Sequence, residues 1–95
     1  MRLIVSRAAL VDIERLHEFL VEKNPAAAQR AVAVLDHAMR TLDIFPERGR
    51  PTGTPGVREL IVPFGRSAYV LRYAHSAEAD EAVILCIWHG REQRE

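Results

Sequence analysis

The chain has 95 residues, 48% apolar and 27% charged, with thirteen basic and thirteen acidic side chains. That usage excludes a disordered chain, a collagen-like repeat and a coiled-coil rod. A chain this short buries roughly 60–65% of its unfolded surface, so one small core over residues 1–95 is expected. No apolar run nears the ~20 residues that cross a bilayer. Arg7, Asp12 and Glu14 interrupt any signal-peptide apolar region. A cytoplasmic location with no membrane partner is expected. The single cysteine, Cys86, excludes an internal disulfide and a CxxC zinc knuckle.

The elements follow in chain order. Arg2–Val5 is short and β-branched, the pattern of a strand. Ser6 is a helix N-cap. Leu10, Ile13, Leu16 and Leu20 then recur at helical spacing to about Lys23. Asn24-Pro25 ends that helix and starts the next, because Asn caps well and Pro is tolerated at the first helical position. The second helix is predicted over 25–44. Ala28, Ala31, Leu35, Ala38, Leu42 and Phe45 form its apolar stripe. So short a join implies an antiparallel helical hairpin.

Residues 46–56, PERGRPTGTPG, are predicted as a loop. Three strands follow, Val57–Pro63, Ser67–His75 and Ala82–His89, with short joins that imply an antiparallel meander. The last strand is nearly continuous in apolar character and should be the most buried. The expected class is α+β. Its order is β-α-α-β-β-β, with the helical hairpin on one face of a small, mainly antiparallel sheet.

Charge is balanced overall but not along the chain. Arg48, Arg50, Arg58, Arg66 and Arg72 face only Glu47 and Glu59 within residues 47–72. Twelve of the basic side chains are arginines and one is Lys23. Arginine binds carboxylate or phosphate in a planar, bidentate manner. The centre of the chain therefore reads as an anion-facing surface, or as ordinary surface salt bridging. Arg58 and Arg72, if on one sheet face, form a cationic pair that needs an acidic partner. His89 at a strand end has the chemistry of a general acid or base, and equally suits a capped sheet edge. Trp88 suits stacking or core packing. His17, His37, His75 and His89 show no metal-ligand spacing, and no phosphate-binding loop is present, so neither metal nor cofactor is expected.

Taken together, GRPTGTPGVRELIVPFGRSAYVLRYAHSAEADEAVILCIWHGRE resembles the C-terminal half of the RelE/ParE toxin superfamily. The features are a Gly/Pro loop before an Arg-Glu-Leu strand, the Tyr-Val-Leu-Arg-Tyr strand, and a closing apolar strand ending His-Gly-Arg. The short first strand and the second helix ending Leu42-x-x-Phe45-Pro46 are similar too. The resemblance implies the toxin of a type II toxin–antitoxin pair. A ParD-like antitoxin, disordered alone, would wrap it. Contact is then expected at Leu16, Leu20 and Leu35 of the hairpin and at Arg58 and Arg72.

Two activities occur in the superfamily. RelE-like members are messenger RNA endonucleases that act on the translating ribosome. In this chain His89 would carry the proton, and Arg58, Arg66 and Arg72 would hold phosphate. ParE-like members poison DNA gyrase by binding. A single lysine and the lack of a tyrosine after Tyr73 make this chain look more ParE-like. Its expected target contact is then Trp88, His89 and Arg91, with no catalytic residue. A third reading is an inactive member that only binds its partner.

Overall fold

The computed structural model describes residues 1–92. β1 is Arg2–Val5, α1 Arg7–Val21, α2 Pro25–Thr41, β2 Arg50–Pro51, β3 Val57–Phe64, β4 Ser67–Ser76 and β5 Glu81–His89. The five strands form one sheet in the order β1-β5-β4-β3-β2. β1 pairs parallel with β5, and all other pairs are antiparallel. The α+β class and the helical hairpin on a mainly antiparallel sheet are as expected.

Both helix starts follow from their caps. The Ser6 hydroxyl accepts a hydrogen bond from the Ala9 N–H, and the Asn24 side chain accepts from the Ala27 N–H. Each satisfies an N–H that has no partner inside its helix. Pro25 stands in the first turn of α2, where its missing N–H costs nothing.

Three expectations are corrected. The segment 46–56 is not wholly a loop, because Arg50 and Pro51 pair with Glu59 and Arg58 as a short edge strand. Leu10 does not belong to the buried stripe of α1. It is 51% exposed, one position round from Ala9, which with Asp12 and Leu16 faces the core. α2 ends at Thr41 rather than at 44. Phe45 therefore leaves the helical face, and Ile44 and Phe45 are both exposed.

The core lies between the hairpin and one sheet face. Ala9, Leu16, Ala31, Leu35, Ala38 and Leu42 pack on Leu60, Val62, Tyr69, Leu71, Tyr73, Ile84 and Ile87. Small alanines along this seam let the helices approach closely. The other sheet face carries the alternate residues. In cross-strand register, Glu59 lies opposite Arg72, Arg72 opposite Cys86, and Val70 opposite Trp88. Val70 and Trp88 are buried yet stand outside the main cluster beneath the helices.

Candidate functional site

β5 has two distinct edges. β1 runs beside it only from Glu81 to Ile84. Beyond that point α1 side chains take over. The Ser6 hydroxyl donates to the Leu85 carbonyl. The Ile87 N–H donates to Asp12 Oδ2 at 2.8 Å, and Arg15 donates to the Ile87 carbonyl at 3.5 Å. Asp12 is the one charged side chain buried among the described residues. A buried carboxylate needs hydrogen bonds and a counter-charge. It has the Ile87 N–H and Arg15, 3.5 Å away.

The end of β5 is pinned further along this same edge. Glu92 accepts from the His89 N–H at 2.8 Å and from Arg15 at 2.9 Å. His89 Nδ1 accepts from the Arg91 N–H, which leaves Nε2 as the protonated nitrogen of the neutral ring. The His89 ring meets Tyr69 edge to face, with centroids 5.7 Å apart. Tyr69 is buried, and its hydroxyl is pushed above the ordinary tyrosine range by desolvation and by the charge of Glu92. His89, exposed Arg91 and exposed Arg66, in the β3–β4 turn, thus share one end of the sheet.

Trp88 lies on the opposite face from His89. The Arg72 guanidinium sits 4.9 Å from its ring centroid, a cation–π contact. Arg72 also donates twice to Glu59 Oε2, at 3.0 and 2.8 Å. Arg50 approaches the other Glu59 oxygen at 3.6 Å. Glu59 is mostly buried and stands between two arginines.

Arg58 and Arg72 do not form a cationic pair. Arg58 lies opposite Tyr73 and Arg72 opposite Glu59, one residue on, so they occupy opposite faces. Arg58 turns to the loop instead and donates to the carbonyls of Gly49 (2.8 Å) and Glu47 (3.3 Å). Nor do the four residues of a nuclease converge. Arg58 and Phe64, at the Arg66 turn, are six residues apart on β3, about 20 Å at ~3.3 Å per residue. Arg72 is on the far face and is already bound to an acid.

The three hairpin leucines also divide. Leu16 and Leu35 are 6% and 1% exposed and belong to the core, so neither is presented to a partner. Leu20 is half-buried. The exposed large apolar side chains are others, Leu10, Val11 and Phe19 on α1, Ile44 and Phe45 after α2, and Ile61 on β3. A groove of about 350 Å³ runs between α2 and β3, lined by Val34, His37, Leu60, Ile61, Val62 and Pro63 among others. β2 covers β3 only as far as Glu59, so the edge beyond it is open on this side.

Sequence reading gives Asp12, Glu59 and Glu92 no place in the site. Asp12 had a detectable signal, an acid four residues before Leu16 on the apolar face of a helix. Glu59 stands out only as one of two acids in the basic segment 47–72, and Glu92 not at all, because sheet register and a turn set their partners. Among the described residues no group of three or more His, Cys, Asp or Glu is placed to hold a metal ion.

Comparison with known proteins agrees with this fold. Residues 3–94 match the family described as ParE toxin of type II toxin–antitoxin system, parDE. The chain is 44% identical over 91 residues to Toxin RelE1 of Caulobacter vibrioides, covering 96% of this chain and 95% of that protein. Toxin RelE3 of the same organism is 34% identical over 83 residues, 87% of each chain. A solved structure titled "Chromosomal ParDE TA system from P. aeruginosa" superposes with a TM-score of 0.73 at 25% identity, covering 94% of this chain and 95% of that one. The chain belongs to the ParE/RelE family of toxins of type II toxin–antitoxin systems.

Proposed function

We propose that this toxin arrests its host by binding DNA gyrase, with no chemistry of its own, in the cytoplasm. The contact surface is the C-terminal end of β5 with the turns beside it, namely His89, Arg91 and the exposed Arg66; Trp88, 7% exposed and covered by Arg72, supports this end from within rather than meeting the target. The dispersion of the cations carries this reading. Cleavage of RNA requires a proton carrier and phosphate ligands around one scissile bond. Here Arg58 holds loop carbonyls and Arg72 is neutralised by Glu59. A binding surface asks for less convergence.

Neutralisation follows from what the hairpin leaves uncovered. A ParD-like antitoxin segment would fold onto the exposed apolar side chains and the groove between α2 and β3. Leu20 remains a contact in this scheme, while Leu16 and Leu35 support it from beneath.

The second reading is a ribosome-dependent messenger RNA endonuclease. It is favoured by the RelE names of the Caulobacter relatives. Induction of the toxin alone in a bacterial host separates the two. Gyrase poisoning gives a DNA-damage response with translation continuing at first. Loss of translated messages before any damage response rejects it.

A further inference from the structure

Ile87 has both backbone polar groups bound by side chains of one helix. Its N–H goes to Asp12 and its carbonyl to Arg15. These two residues are three apart and so share a face of α1. They stand where a longer β1 would have stood. Arg15 then reaches on to Glu92, which holds the His89 N–H. Asp12 and Arg15 on α1 and Glu92 in the turn after β5 thus fix the last stretch of β5 from Ile87 to His89.

We infer that Asp12, Arg15 and Glu92 act as positioning residues for the target-contacting end of the toxin. The inference rests on the reading that His89 and Arg91 at this strand end meet the target. A strand end held only by β4 on one side frays readily. Cross-bracing by α1 sets the depth of Trp88 and the direction of the His89 ring. Neither Asp12 nor Arg15 needs to touch the target. The same brace links that end to α1, the helix that carries the exposed Leu10, Val11 and Phe19.

Trp88 is the only tryptophan, so its fluorescence reports directly on this end. The test compares the full-length toxin with Arg15→Ala, Arg15→Lys and Glu92→Ala. The readouts are Trp88 emission and its quenching by acrylamide, amide exchange at Ile87 and His89, far-ultraviolet circular dichroism, and growth arrest. Arg15→Ala should redden and expose Trp88. It should speed exchange at Ile87 and His89 by roughly tenfold or more relative to the core strands. Circular dichroism should be unchanged and growth arrest weakened, with partial recovery in Arg15→Lys. Glu92→Ala, at a part-exposed site, should repeat the effect at His89.

Unchanged Trp88 emission and exchange in both alanine variants would overturn the brace. A loosened strand end with full toxicity would overturn its positioning role. His89→Ala/Arg91→Ala, which leaves buried Trp88 in place, then identifies the fault. If that variant is also fully toxic, the target surface itself has been misplaced. If it is inactive, the surface stands and only the brace is wrong.

Discussion

Arg58 and Tyr73 lie opposite each other on β3 and β4 and grip the same stretch of chain. The Tyr73 hydroxyl accepts from the Gly49 N–H at 2.9 Å and donates to the Pro46 carbonyl at 2.7 Å. Arg58 holds the carbonyls of Glu47 and Gly49. The segment after α2 is therefore tied to the sheet at both ends of one turn. Tyr73→Phe removes a fully buried hydroxyl and leaves two backbone groups without their partner. It should cost about 1–3 kcal/mol in denaturant unfolding. A cost near zero would mean the loop is not held in this way.

Gly49 belongs to the same contact. A Cβ there would meet Tyr73 Cε1 and its hydroxyl at 2.8 Å and the Glu59 carbonyl at 3.0 Å. Gly49→Ala should therefore destabilise by about 1–3 kcal/mol through overpacking. Gly53 has open space around its Cβ position, so Gly53→Ala is the control and should unfold at almost the parent denaturant concentration.

Leu35 and Leu20 separate core from interface. Leu35→Ala should cost about 2–5 kcal/mol of stability, because it empties a fully buried site. Leu20→Asp, half-buried, should weaken antitoxin binding while the toxin stays folded. Calorimetric titration with the antitoxin, beside thermal unfolding, reads both. Undiminished antitoxin affinity in Leu20→Asp would remove that residue from the interface.

Both tyrosines of β4 should titrate late. Burial raises Tyr69 and Tyr73 above the ordinary value of 10.0. Glu92 adds to the effect at Tyr69. At Tyr73 the Gly49 N–H, Arg58 and Arg48 oppose it, and Glu47 adds to it. The folded state thus prefers the protonated phenol. Its stabilising effect is complete below about pH 10 and is lost as pH rises through the raised values. Ultraviolet titration of the phenolates should show both groups ionising above the unfolded chain. Ionisation at the ordinary value while the protein is still folded would contradict the buried placement.

The architecture was legible because its signals are local. Ser6 and Asn24-Pro25 mark the two helix starts, and the short joins between Val57–Pro63, Ser67–His75 and Ala82–His89 mark the meander. The errors arose where distant parts of the chain decide. Arg50-Pro51 became a strand only because Glu59 and Arg58 offer an edge. Whether Arg58 and Arg72 share a face depends on register, which the sequence leaves open, and a shift of one residue reverses a face. Leu16 and Leu35 were read as a partner surface, yet an apolar stripe fits a core and an interface equally well. Asp12 was passed over because its partner is Ile87, seventy-five positions away in sequence.

Under the proposed function the toxin acts on gyrase by binding alone. The most direct measurement adds the purified toxin, free of antitoxin, to DNA gyrase with supercoiled plasmid and ATP. The expected product is linear DNA covalently linked to gyrase, lost with His89→Ala/Arg91→Ala. Undamaged plasmid, with the same preparation cutting translated messages at codon positions on the ribosome, would contradict it.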